Sequence, residues 1–151
     1  MKKLNLPAYT FKIKTKEQKK YIFDAIRRKF VKLTPEEWVR QHFIRYLTEE
    51  KGYSSSLMAV EMNMEYNRLS FRADVVVYNR QAAPVMIIEC KAPEVAIAQR
   101  HFDQILRYNM QLKVRYLTVT NGLVHYCCRL DTETGRYQFL QAIPPFGELP
   151  G

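Results

Sequence analysis

No run of apolar residues in this sequence approaches the roughly 18–20 needed to cross a bilayer, so no membrane partner is expected. The opening Met1-Lys2-Lys3-Leu4-Asn5-Leu6-Pro7 lacks the apolar stretch of a secretory signal, because Pro7 and the charges after Phe11 interrupt it. Cysteine is scarce: Cys90, Cys127 and Cys128 are the only three. An odd number with two neighbours makes a poor disulfide framework and points to a reducing cytoplasm. His125-x-Cys127-Cys128 carries zinc-ligating types, but adjacent strand residues face opposite ways and a closed site needs four convergent ligands. Zinc is not expected. Repeats and linkers are also absent, and 151 residues suit one domain. Negative charge is outnumbered, 15 Asp and Glu against 24 Lys and Arg, for a net charge of +9. Such an excess commonly faces a polyanion, nucleic acid first, although it also serves solubility or an acidic protein partner.

The positive charge is concentrated early, in Lys12, Lys14, Lys16, Lys19, Lys20, Arg27, Arg28, Lys29 and Lys32. Residues 1–33 therefore read as a basic arm packed on or leading into the domain, either solvated or tracking phosphates. Residues 34–143 read as one α/β domain and 144–151 as an extended, proline-rich tail. Thr34, Pro35 and Glu37 form the start signal of a helix, with Thr-x-x-Glu as a capping box and Gly52 as its stop. Alternation in Met58, Val60, Met62, Met64 and Tyr66 predicts a half-buried strand. Phe71 to Tyr78 and Val85 to Cys90 predict two more, the latter buried on both faces. Pro93 and the spacing of Val95, Ala98, Phe102, Ile105 and Leu106 predict a second helix to about Met110. Tyr116–Thr120 and Leu123–Arg129, joined by Asn121-Gly122, predict a hairpin, and Arg136–Leu140 a short edge strand. The order α-β-β-β-α-β-β implies a central mixed sheet flanked by helices. His42 and His101 read as helix-surface residues, and most of the ten tyrosines as core or interface.

Three polar residues sit where a buried sheet disfavours them: Asp74 within the second strand, and Glu89 and Lys91 at the end of the third. Glu89 and Lys91 are two apart and share a face. Buried charges need partners or a metal. An Asp and a Glu on neighbouring strands supply oxygen ligands to a hard cation such as Mg²⁺, with Lys91 placed to orient water or stabilise a phosphate. A structural salt bridge from Lys91 to Asp74 or Glu89 explains the same residues. A Cys90–His101 nucleophile pair is disfavoured, because Cys90 points away from Glu89 and Lys91.

Asp74 followed by Glu89-Cys90-Lys91 resembles the PD-(D/E)xK nuclease superfamily, with Ala73 where the proline usually stands. The segments Thr34–Gln41, Arg72–Tyr78, Ile88–Pro93 and Asp103–Asn109 resemble, more closely, the N-terminal nuclease domain of type I restriction enzyme R subunits. Gln104 and Tyr108 match the Gln-x-x-x-Tyr motif of those domains and share a helix face. The resemblance implies a restriction-endonuclease-like fold and Mg²⁺- or Mn²⁺-dependent cleavage of DNA. Asp74, Glu89 and the Cys90 backbone carbonyl would hold the metal, and Lys91 would activate or orient water. Glu37 is a further metal candidate, although the capping box explains it without any metal. Arg40, Arg72, Gln104 and Tyr108 would bind nucleic acid or order the site. Partners implied are DNA and a motor or specificity subunit or a second copy of the chain. No Gly-x-x-x-x-Gly-Lys-Ser/Thr loop occurs, so translocation is not implied. The rival expectation is a non-catalytic DNA-binding or assembly module that keeps the nuclease fold.

Overall fold

The computed structural model describes all residues but Asn67, and all side chains but those of Tyr66, Asn67, Leu69 and Gln111. The expected inward placement of Tyr66 lies outside the described residues. Among the described residues nine strands form two sheets, accompanied by two α-helices. Strands β1 (Ile13–Lys16), β2 (Lys19–Asp24) and β3 (Lys29–Lys32) make an antiparallel meander. Helix α1 (Pro35–Glu50) follows. The main sheet runs in the order β4 (Met58–Tyr66), β5 (Leu69–Tyr78), β6 (Pro84–Cys90), β7 (Tyr116–Thr120), β8 (His125–Leu130), β9 (Tyr137–Leu140). Helix α2 (Gln99–Leu112) connects β6 to β7, the one parallel pair, and every other neighbour is antiparallel.

The sheet separates two apolar layers. On one side Val39, Phe43 and Leu47 of α1 pack on Val75, Val77, Met86 and Ile88. On the other, Phe102 and Ile105 of α2 pack on Ala73, Val76, Ile87 and Leu117. Cys127 and Cys128 fall in opposite layers, and all three cysteines are free and buried. Helix α1 begins as its sequence dictates: Pro35 occupies the first turn and the Thr34 hydroxyl accepts from the Glu37 amide at 3.0 Å. It ends at Gly52, whose φ of 76° turns the chain so that the Tyr53 amide reaches the Leu47 carbonyl.

Several expectations change. Residues 13–32 are not a simple arm: β1 and β2 are joined by a two-residue turn with Glu17 and Gln18 at φ 52° and 65°, a type I′ geometry normally signalled by Asn-Gly. The 144–151 tail folds back through a 3₁₀ turn at Phe146–Glu148, with the Tyr53 hydroxyl donating to the Pro144 carbonyl at 2.8 Å and Leu149 buried. Helix α2 starts at Gln99 rather than near Pro93, because His101 Nδ1 accepts from the Ala98 amide and caps it there. The β7–β8 turn holds four residues, since the Asn121 side-chain Oδ1 accepts from both the Leu123 and Val124 amides. His42 is buried against Trp38 and Phe11, not on the surface. The alternation along β4 breaks at Glu61, whose φ is 55°, which leaves Met62 exposed.

Gly122, in the β7–β8 turn, has a φ of 84°, and an added Cβ would lie 2.7 Å from a Leu4 methyl. Leu4 can yield but the backbone cannot, so Gly122→Ala should cost about 1–2 kcal/mol from the left-handed conformation alone. Urea unfolding would measure this. An unchanged midpoint would mean the turn relaxes freely.

Candidate active site

The β5–β6 ladder stops at Val75↔Ile88, one step short of Asp74 and Glu89, while β6 remains paired with β7 through Cys90↔Thr120. The Cys90 amide on the β5 side therefore lacks a backbone acceptor. The Asp74 carboxylate supplies it, with Oδ2 accepting at 2.6 Å. Ile88 and Cys90 belong to the α1-side core and Ile87 to the α2-side core, so Glu89 and Lys91 point toward α2. Lys91 Nζ lies 3.4 Å from Glu89 Oε1, whereas Glu89 Oε2 is buried with no hydrogen-bond partner. The three residues singled out from the sequence are thus brought to one place, where two strands part.

Burial raises the pKa of both carboxyls. Glu89 is pushed up to about 7, first by desolvation and then by the negative charge of Asp74. Asp74 is raised by desolvation, against the lowering effects of the Cys90 amide and of Arg40. Two mutually repelling carboxylates in a half-dry site favour a proton or a cation between them. Cys90 itself is a buried thiol whose pKa burial raises far, unsuited to act as a nucleophile.

A second cluster abuts the first on the α1 side. Arg40 is buried, with Nη2 donating to Glu37 Oε1 at 2.6 Å, Nε donating to Glu37 Oε2 at 3.0 Å, and Nη1 3.8 Å from Asp74 Oδ1. Arg27 pairs with Asp24 within the meander and reaches out of it to Glu37 at 2.7 Å and to Glu61 at 3.3 Å. The Gln41 side chain donates to Glu37 at 2.9 Å. These donors outweigh desolvation and lower the Glu37 pKa to about 2. Glu37 completes only half of the capping box: its amide meets Thr34, but its carboxylate is turned to the guanidiniums. The cluster lines a cleft of about 340 Å³ that includes Lys32, Glu36 and Asp74. Arg27 and Glu61 escaped the sequence reading. Arg27 was one basic residue among many, and only the left-handed backbone at Glu61 swings that side chain to Arg27 and Arg40.

The remaining candidates lie further out. Arg72 is exposed and pairs with Glu61. Tyr108 stacks on Phe71 with ring centroids 4.8 Å apart, and Gln104 is exposed one turn earlier on α2. Neither Gln104 nor Tyr108 bonds to Asp74, Glu89 or Lys91 among the described residues.

A mixed sheet with a helix on each face and carboxylates at the parting of two strands is a restriction-endonuclease-like arrangement. The family model of the type I restriction enzyme R protein N terminus (HSDR_N) matches residues 35–144, and the chain belongs to that family. Among solved structures, the chain is similar to a fragment assigned as an HsdR subunit of a type I restriction enzyme from Vibrio vulnificus YJ016. The two share 20% identity and a TM-score of 0.55 over 78% of this chain. The chain spans only 24% of that neighbour's length. No curated protein matches the chain.

Two expectations follow from the charges. Thr34→Ala should cost about 1 kcal/mol as an ordinary cap loss. Glu37→Gln should cost about 2–3 kcal/mol, because it removes the best-bonded of the carboxylates that face Arg27 and the buried Arg40 and leaves them Asp24, Glu61 and Asp74. The Glu37 contribution is complete above its unfolded pKa of 4.5 and fades as pH falls toward about 2. Chemical denaturation of both variants at several pH values would check this, and equal costs would reduce Glu37 to a cap.

Proposed function

We propose that this domain hydrolyses DNA phosphodiester bonds with a divalent metal, using Asp74, Glu89 and Lys91. One observation carries the reading: a half-buried carboxylate pair, one of whose oxygens is buried with no hydrogen-bond donor, at the end of a strand ladder and beside a lysine. The donor set suits Mg²⁺. That ion takes hard oxygen ligands, commonly one or two carboxylates plus waters, and Asp74, Glu89 and the Cys90 carbonyl are such ligands. Among the described residues no group of three or more His, Cys, Asp or Glu side chains converges, so water would complete the shell. When bound, the metal would polarise the phosphate and lower the pKa of a water.

The chain's own residues account for the rest. The Cys90 amide fixes one Asp74 oxygen at 2.6 Å, leaving the other on the side of Arg40. Lys91, tethered to Glu89, orients an attacking water or meets the negative charge that develops on the phosphate. Glu89, with its pKa near 7 in the metal-free site, would give up its proton on taking a cation. Arg40 orders Asp74 from behind rather than contacting nucleic acid, since it is buried among carboxylates. A motor or specificity subunit, or a second copy of the chain, would supply the context in which DNA is presented.

The second reading, a non-catalytic DNA-binding or assembly module, is favoured by one feature. Both Glu37 oxygens are taken by guanidiniums and Gln41, which leaves two side-chain carboxylates for a metal. Nicking of supercoiled plasmid in Mg²⁺ or Mn²⁺, with EDTA as control, separates the two. Asp74→Asn, Glu89→Gln and Lys91→Ala should each reduce nicking by about a hundredfold or more, and combining them should add little. No metal-dependent nicking by wild type would favour the second reading.

A further inference from the structure

The meander β1–β3 lies outside the segment the family model matches, and its two faces differ sharply. One face carries Ile13, Ile22 and Val31 in register, with Ile22 and Asp24 fully buried against the rest of the protein and Ile13, Lys20 and Lys29 exposed at its margins. Register places the other set together: Lys14 beside Tyr21 and Lys32, Lys16 beside Lys19, and Phe23 beside Phe30. The Phe23 amide donates to the Lys12 carbonyl, which brings Lys12 alongside. Five exposed lysines thus surround three partly exposed aromatic rings, and no carboxylate from β1, β2 or β3 shares that face. Phe23 and Phe30 meet edge to face at 5.3 Å. Lys12 Nζ and Lys14 Nζ lie 5.7 and 4.2 Å from the two ring centroids. At its Phe23 end the face opens on a cleft of about 470 Å³, lined also by Phe11, Lys12, Gln41, Arg45 and Thr48 and by the buried Asp24, which Arg27 neutralises.

Lysines alone would suit any polyanion. Aromatic rings on the solvent side of a sheet have a narrower use. Rings are left unsatisfied by a duplex, whose bases are stacked within it, but they pair with the π-faces of unpaired bases while flanking cations take the phosphates. The absence of acidic residues on the face removes the repulsion that would oppose a nucleic acid backbone. An acidic protein would satisfy the lysines but leave the rings without stacking partners.

We infer that this face of the meander binds single-stranded DNA, with bases stacked on Tyr21, Phe23 and Phe30 and phosphates on Lys12, Lys14, Lys16, Lys19 and Lys32. The surface is separate from Asp74, Glu89 and Lys91, and its occupancy does not depend on cleavage.

Fluorescence anisotropy in EDTA, with the whole protein, tests this using labelled oligo(dT) and a duplex of equal length. Oligo(dT) should bind more tightly than the duplex. The Phe23→Ala/Phe30→Ala variant should weaken oligo(dT) binding by about tenfold or more, with little effect on the duplex. Lys14→Gln/Lys32→Gln should flatten the slope of log affinity against log salt by about 1.4. Because the rings are partly buried, the wild-type protein gives a second readout: photocrosslinking to iodouracil-substituted oligo(dT) should map to Tyr21, Phe23 or Phe30. Crosslinks confined elsewhere, duplex binding as tight as oligo(dT), or full displacement by polyglutamate of equal charge would each overturn the proposal.

Discussion

The hydrogen bond from the Cys90 amide to the Asp74 carboxylate replaces a rung of the β5–β6 ladder, and the site depends on it. A sheet that continued pairing would have satisfied Cys90 through backbone and left Asp74 a costly buried charge. Instead the strands part, a side chain supplies the missing acceptor, and Asp74 and Glu89 are left together at the opening. The same parting leaves Glu89 Oε2 without a partner. A proton shared with Asp74 or a cation would satisfy that oxygen.

The Arg27–Glu37–Arg40 cluster joins the meander, α1 and the central sheet through charge rather than apolar contact. Ion pairs of this kind are weak evidence for stability, because desolvation offsets much of their attraction. Their consequence here is geometric. Arg40 holds Glu37 and approaches Asp74, so the position of Asp74 is coupled to the helix and, through Arg27, to the meander. The arrangement also commits Glu37 to the fold: a carboxylate that two guanidiniums hold near a pKa of 2 is a poor candidate to exchange them for a metal.

Much of the architecture was legible because local and global signals agree. Thr34-Pro35 starts α1, Gly52 stops it, and the apolar runs at Val75–Val77 and Val85–Ile88 form the strands buried on both faces. Asp74, Glu89 and Lys91 stood out for the opposite reason, as charges within such runs. The meander was obscured by its lysines and by a hairpin turn built from Glu17 and Gln18, residues that rarely adopt a left-handed φ. His42 was misplaced because helical spacing does not reveal that Phe11 and Trp38 close over it. Glu61 was invisible because its role arises from one backbone torsion within an otherwise regular strand.

Membership of the type I restriction enzyme R protein N-terminal family places this domain beside much longer chains, and the central claim concerns what its carboxylate pair holds. Calorimetric titration with Mg²⁺, repeated in buffers of different ionisation enthalpy just below pH 7, addresses that directly. Because Glu89 has a pKa near 7, binding at the pair should release up to about one proton per metal ion, a release lost in Glu89→Gln. Absence of Mg²⁺ binding, or binding with the same proton release in Glu89→Gln, would contradict the account.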